Sequence, residues 1–333
     1  MAHRISIVNG RAELAYAGET PWHGLGVKVA GEQSADGMLS AAGMTWTVGL
    51  EPIMLADGRN VEGYRAIVRQ DTARPLGVVT DRYQPIQNEQ AAGVMAAIIA
   101  EGATVQVAGV LDAGERCWLL AKVPGDFEVT RGDVVKPYVL LAWGHDGKHG
   151  LAAKLTPIRV VCHNTLTSAL GDKWSRSADI YVKHTLNAKV RIDEARRALG
   201  IVQKQAAETA ETYRAMAARA MTAAEMIAYC ASVFPYPSAE NKPGEPEPQV
   251  DPNARARINE QRAGVLTLID HGVGAELAGR TAWGAYNAVT EWVDRVYPVT
   301  QKGEVSKTRQ ESALFGSYAG VKVRALSSAV ALL

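Results

Sequence analysis

The stretch AKVRIDEARRALGIVQKQAAETAETYRAMAARAM, residues 188–221, constrains the fold of this chain most. It is rich in Ala and in straight-chain residues that lose little freedom in a helix, and no Pro interrupts it. Asp193/Arg197 and Lys204/Glu208 stand at i,i+4 and add weak support. A long helix is therefore expected here. Upstream the pattern changes. WTVGLEPIMLADGRNVEGYRAIVRQ has two β-rich runs around Asp57-Gly58, a hairpin signal. PLGVVTDRYQPI adds a short strand. TVQVAGVLDAGERCWLLAKV turns at Asp112-Ala113-Gly114, and KPYVLLAWGHDGKHGLAAKLTPIRVVC reads as a third hairpin with its turn in GHDGKHG. Between them NEQAAGVMAAIIAEG predicts a helix, capped by the Asn88 side chain and ended by Gly102.

The chain is thus read as α+β, with a β-rich N-terminal half, a strand-to-helix core unit at 137–171, and a helical C-terminal half. The expected divisions are a β-rich α+β domain at 1–186, a long helical segment at 187–235, a Pro- and acid-rich insert at 236–252, and a helical region at 253–333 that packs on the core. The insert contains PYPSAENKPGEPEPQVDP, which buries too little apolar surface to order itself. TAAEMIAYCASV opens with Thr222 and Glu225 at capping-box spacing. In TAWGAYNAVTEWVDRVYP, residues Tyr286, Val289, Val293 and Val296 define one apolar face. Glu291 and Asp294, one turn apart, read as solvated. The tail ALFGSYAGVKVRALSSAVALL is expected to be helical.

No stretch approaches the roughly 18 apolar residues of a membrane span, and the N-terminal residues carry no apolar run of signal-peptide length. Cys117, Cys162 and Cys230 are odd in number and far apart, which excludes a disulfide framework and a Cys-x-x-Cys metal knuckle. A cytoplasmic protein is expected. Nucleotide-binding glycine loops, a Walker lysine and a serine nucleophile elbow are all missing, and no cofactor is expected.

IRVVCHNTLTSAL (158–170) sets Cys162, His163 and Asn164 side by side. In a strand, neighbouring side chains point to opposite faces, so these three cannot converge as nucleophile and base. Cys162 reads as a small buried hydrophobe, and Asn164 or Thr165 as the cap of the helix that follows. His163 falls on the same face as Arg159. Pro157 implies an edge or a bulge, and a bulge would bring Lys154 beside Arg159. His145 and His149 flank Asp146 in the preceding turn, but no further ligand is spaced to complete a metal site.

Net charge is only +1, yet its distribution is uneven. Residues 148–197 hold ten Lys/Arg against four acids, and residues 295–324 hold six against two. Such asymmetry suits local binding of a polyanion. The candidate phosphate contacts are Lys148, Lys154, Arg159, Lys189, Arg191, Arg196 and Arg197, with His163 beside them. Trp143 or Trp174, which flank the segment, would stack bases.

VNGRAELAYAGETPWHGLG, IRVVCHNTL, TAWGAYNAVTEWVD and SALFGSYAGVKVRAL, taken in that order, resemble the phage/plasmid-like protein family that is catalogued as a domain of unknown function. The resemblance covers nearly the whole chain. It implies a gene of a phage, prophage or plasmid acting in the bacterial cytoplasm. It brings no catalytic residue set. Mobile elements often encode single-strand annealing proteins, whose hairpin-and-helix core assembles as rings or filaments. The segment from Pro137 to Leu170 has that general plan, and a homo-oligomer would follow.

Three functions stay open. The first is a non-enzymatic protein that binds single-stranded DNA in recombination or replication. The second is an enzyme acting on nucleic acid or a nucleotide, with His163 or His145 as acid–base. The third is an assembly factor that binds a protein through its C-terminal helices.

Overall fold

The computed structural model describes residues 5–18, 25–99, 102–159, 180–182, 204–237, 251–296 and 317–333. Strands fill the N-terminal half and helices the C-terminal half. Two short strands, β1 (Ile7–Val8) and β2 (Arg11–Ala12), pair with each other. β3 (Leu14–Ala17) and β4 (Val27–Val29) precede α1 (Ala35–Ala41). Then come β5 (Val48–Met54), β6 (Asn60–Arg69), β7 (Arg74–Thr80) and α2 (Asn88–Ile99). β8 (Thr104–Leu111), β9 (Arg116–Lys122), β10 (Phe127–Glu128), β11 (Val134–Lys136), β12 (Tyr138–Gly144), β13 (Leu151–Leu155), β14 (Ile158–Arg159) and β15 (Ile180–Val182) follow.

Seven strands form one sheet in the order β15-β13-β12-β9-β8-β3-β4, antiparallel apart from β3–β4. Its centre is buried on both faces. Cys117, Leu119, Ala121, Val139, Leu141 and Trp143 face the main core, and Trp118, Leu140 and Ala142 a smaller one. That is why YVLLAWG is a continuous apolar run: a strand covered on both sides has no polar face to show. The main core is closed by α1, α2 and the second sheet, β5-β6-β7.

All three expected hairpins form. Gly58 takes φ 84° in the first, and Asp57 accepts from the Arg59 amide. In the β8–β9 turn both Asp112 and Ala113 lie in the left-handed region, at φ 53° and 59°. Gly102, at φ 97°, donates its amide to the Ile99 carbonyl and ends α2.

The run from Leu151 onwards differs from the expected single strand. Thr156 still exchanges backbone hydrogen bonds with Tyr138, but after Pro157 the chain enters a different sheet, β10-β11-β14. Lys154 pairs with Leu140 in the large sheet and Arg159 with Val135 in the small one. No bulge brings these two onto one face. Cys162, His163, Asn164, the expected helix after them and Trp174 lie outside the described residues.

The helices build a second core. α3, described at 204–218, is followed by α4 (Ala223–Val233), α5 (Pro252–His271), α6 (Ala275–Ala278), α7 (Ala282–Glu291) and α8 (Ser317–Val330). The capping box forms: Thr222 Oγ1 accepts from the Glu225 amide and the Glu225 carboxylate accepts from the Thr222 amide. Asp251 caps α5, just after the part of the insert, 238–250, that lies outside the described residues. α7 sits in the middle, and every one of its residues is buried. Tyr286, Val289 and Val293 are core as expected, but the opposite side of the helix is enclosed too.

This enclosure overturns the solvated reading of Glu291 and Asp294. The Glu291 carboxylate accepts from the Val273 amide at 2.9 Å. Asp294 lies in a π-helical turn, Trp292–Val296, and pairs at 2.5 Å with Lys322, which is 2% exposed. The two halves meet through β10 and β11. Val129 and Val135 join the helical core, and Trp283 Nε1 donates to buried Asp133 at 2.8 Å. No helix among the described residues is long and apolar enough to cross a membrane.

Candidate functional site

The chemistry-bearing side chains of the strand half gather where the second sheet meets the end of the β12–β13 hairpin. Arg69, at the end of β6, is 1% exposed. It binds Glu13 through two bonds, of 2.6 and 2.8 Å, and Asp71 through two more, of 2.7 and 2.9 Å. It also donates to the Ala113 carbonyl at 3.1 Å, and its guanidinium lies 4.1 Å from the centre of a Trp46 ring. Burial alone would lower the affinity of Arg69 for its proton, but the hydrogen bonds and charges of Glu13 and Asp71 raise it. Trp46 Nε1 donates to Glu13 at 3.0 Å, and Trp46 meets His145 edge-on at 5.2 Å.

Asn88 continues this network inward. Its Nδ2 donates to the Met44 and Trp46 carbonyls, at 3.0 and 3.2 Å. Its Oδ1 accepts from Trp143 Nε1 at 2.9 Å and lies 3.0 Å from His145 Nε2. With Oδ1 fixed as an acceptor, His145 Nε2 carries the proton. The side chain expected to cap α2 is thus spent on tertiary contacts. At that end of the helix Gln87 donates its amide to the Gln90 side chain instead.

The β12–β13 turn is held with unusual tightness for a hairpin end. A Cβ at Gly77 would come within 2.3 Å of the Asp146 carbonyl, and one at Gly147 within 2.5 Å of a Val79 methyl. Only glycines allow the turn to lie against β7 this closely. Within it, Asp146 Oδ1 accepts from the amides of Lys148 and His149, at 2.9 and 3.2 Å, and Oδ2 from His149 Nδ1 at 2.8 Å. Burial pushes the Asp146 carboxyl up, but the His149 ring and the two amides outweigh it and hold it below the usual range. His149 is thereby oriented with Nε2 free of this pair, and its side chain is 27% exposed. The arrangement is that of a carboxylate-positioned imidazole, able to move a proton at Nε2.

The candidates named from sequence that fall among the described residues are Lys148, Lys154, Arg159 and Trp143, and they do not gather at one place. Lys148 is exposed on the turn. Lys154 is half-buried on β13, and Arg159 lies beyond the far end of that strand from the turn. Trp143 is corrected: it is 2% exposed and its indole is committed to Asn88, so no ring face is left for a base. His145 is fully buried and takes no part in surface chemistry. It and His149 have different partners. Among the described residues no group of three or more His, Cys, Asp or Glu is placed to hold a metal. His163, Trp174, Lys189, Arg191, Arg196 and Arg197 lie outside the described residues.

Cys117 is buried, and burial, then the nearby Glu13, pushes its thiol well up. Burial raises Cys230 to about 11. Neither is an activated nucleophile. Sequence reading missed the Arg69 cluster because its partners stand 56 residues apart, and treated His149 only as a metal ligand.

A family model described as a domain of unknown function (DUF932) matches residues 75–314. No curated protein and no solved structure matches the chain. The matched region holds Asn88, Trp143, His145, Asp146, His149 and the whole of α7, and leaves out Glu13, Trp46, Arg69 and Asp71. It spans well over half of the sequence, and the chain belongs to the family of this domain of unknown function.

Proposed function

We propose that the chain is a DNA-binding protein of a phage, prophage or plasmid, without enzymatic activity. It prefers single strands and serves recombination or replication in the bacterial cytoplasm, as a ring or filament of identical chains. The observation that carries this reading is the basic excess of residues 148–197 in a chain of net charge +1. The pinned turn adds support, because it presents Lys148 to solvent on a rigid mount at the start of that segment. Phosphate contacts release counterions, with a slope of about −0.7 in log K against log salt per contact on a single strand. Fluorescence anisotropy with a labelled oligonucleotide tests it. Lys148→Ala should weaken binding and flatten the slope by about one contact. Absence of any salt-sensitive binding by the unaltered chain sinks the proposal.

The Asp146–His149 pair favours a second reading, an enzyme acting on nucleic acid or a nucleotide. His149 would take the acid–base role first assigned to His163 or His145. Turnover of an oligonucleotide that disappears in His149→Gln, with thermal stability kept, would support this reading over the first.

A further inference from the structure

At the end of the large sheet, Gly144 on β12 pairs with Arg116 on β9, so the two positions share a face. On its other side the Gly144 amide donates to the His149 carbonyl at 3.2 Å. Arg116, Gly144 and His149 therefore form one row across the sheet end. A Cβ at Gly144 would come within 2.7 Å of the His149 Cβ, and within 3.1 Å of both Asp146 Oδ1 and the Glu115 carbonyl. Only a glycine lets the Asp146–His149 pair settle this close to β9. Cross-strand neighbours have Cβ atoms about 4.5–5.5 Å apart, which sets the His149 and Arg116 Cβ atoms no more than about 8 Å apart. Both residues are half-buried. A guanidinium on its flexible stem can meet an anion placed at the ring.

The donors at this row are directed. His149 is held through Nδ1 by Asp146, which turns Nε2 towards a ligand. The doubly protonated ring gives one N–H to Asp146 and the other to an anion. Arg116 offers a planar fork that matches phosphate oxygens. Lys148, exposed and next in sequence to His149, adds a third cationic group. The nearby acceptors are already engaged. Asp146 Oδ1 takes the Lys148 and His149 amides, and the Glu115 carbonyl takes the His145 amide at 2.9 Å. The four central strands β8, β9, β12 and β13 contain no Asp or Glu, so the sheet beside the row sets no carboxylate against an anion. Asp112 and Glu115 do precede Arg116 in the turn. Directed hydrogen bonds, rather than net charge alone, must hold a ligand here.

We infer that Arg116 and His149 form one binding site for a phosphate group, the guanidinium holding two of its oxygens and His149 Nε2 facing a third. The inference rests on the reading of His149 as a carboxylate-positioned imidazole. It names the ligand class of that site and adds Arg116, which lies outside the basic segment 148–197. The phosphate belongs either to a nucleic-acid strand or to a small molecule such as a mononucleotide, and the chemistry of recognition is the same.

Nuclear magnetic resonance of the histidine rings in the full chain tests it. Inorganic phosphate is titrated to about 50 mM at constant ionic strength, a range that covers a millimolar site. His149→Gln identifies the His149 signal by its loss. The expected result is a saturable shift of that signal, with affinity at least tenfold weaker in Arg116→Gln and a smaller loss in Arg116→Lys. Absence of a saturable shift overturns the proposal. So does undiminished affinity in Arg116→Gln. If that variant does not fold, the rise of wild-type melting temperature with phosphate gives a second readout. Loss of that rise in His149→Gln supports the site, and an equal rise overturns it. Displacement of phosphate by an oligonucleotide supports a phosphate carried on a strand, and retention supports a small phosphate ligand. Phosphate binding without turnover of any oligonucleotide would sink the enzyme reading and leave this site standing. Turnover lost in His149→Gln, with no phosphate-dependent shift in the unaltered chain, would do the reverse.

Discussion

Arg69 and Glu13 meet through two hydrogen bonds in an interior where the side chains are 1% and 5% exposed. The pair ties β6 of the second sheet to the residue before β3 of the first. Removing one partner strands a buried charge, which costs about 3–5 kcal/mol, whereas removing both can be nearly neutral. Arg69→Met should therefore lower stability by about that amount. Glu13→Gln/Arg69→Met should recover part of the loss. A double-mutant cycle in urea measures the coupling, and purely additive losses would contradict the geometry.

Asn88 uses all four of its hydrogen-bonding positions. Asn88→Asp would aim a carboxylate oxygen at the Met44 and Trp46 carbonyls, and Asn88→Leu would leave Trp143 Nε1 and His145 Nε2 without their acceptor. Each should cost at least about 2 kcal/mol, the scale of unsatisfied buried groups. Near-ultraviolet circular dichroism should report a changed Trp environment. A variant as stable as wild type would show that the network contributes little.

Ala113 holds φ 59° in the β8–β9 turn, where an L-residue with a Cβ is disfavoured. Gly occupies that region without the clash. Ala113→Gly should raise stability by about 0.5–1 kcal/mol after the entropy lost from a more flexible unfolded chain. The Arg69 guanidinium donates to the backbone carbonyl of residue 113, which the substitution keeps, so that bond should persist. A lowered melting temperature would argue against strain at this position.

Acid sensitivity follows from carboxyls with lowered pKa. Glu225 is brought to about 2 by the Thr222 amide, Arg219 and the Thr222 hydroxyl. A folded pKa below the unfolded one gives stability that is fully present above about 4.5, the ordinary Glu range, and lost as pH falls towards 2. Asp146 and Asp270 are also lowered, Asp270 by the Arg280 side chain, and act in the same direction below the ordinary Asp range. Glu225→Gln should flatten the decline of melting temperature with acid between pH 4.5 and 2. An unchanged profile would mean that the capping box is not maintained in solution.

Lys322 and Asp294 lock α8 to the π-helical turn after α7. Lys322→Met keeps the apolar stem but removes the ammonium from beside Asp294, whereas Asp294→Asn/Lys322→Met removes both charges. The single change should destabilise by several kcal/mol, on the scale of a broken buried pair, and the double by less. Chemical denaturation followed by Trp fluorescence can compare them.

Much of the local structure was legible in the residues. Asp57-Gly58 and Asp112-Ala113-Gly114 fixed their hairpins because a chain can reverse that tightly only through particular backbone angles. Thr222 and Glu225 declared a helix start because the spacing alone lets each satisfy the amide of the other. Asn88 shows the limit of that logic. Its type suits a cap, but a buried indole and imidazole competed for the same oxygen and took it. Glu291 and Asp294 read as solvated because sequence does not say that α7 is enclosed on every side.

The sequence by itself determined the β-then-helix division, the helix at 88–99 and the three hairpin turns, since these rest on periodicity and on backbone preferences acting over a few residues. Only the tertiary structure decided which polar groups were buried together. Glu13, Arg69 and Asp71, or Asp294 and Lys322, are held by desolvation and by facing charges brought across long stretches of chain. Those forces depend on distance in space, which residue spacing does not record. The same holds for His149: its place beside Asp146 is local, but Gly77 and Gly147, which let the turn press against β7, acquire their meaning only when the two sheets meet.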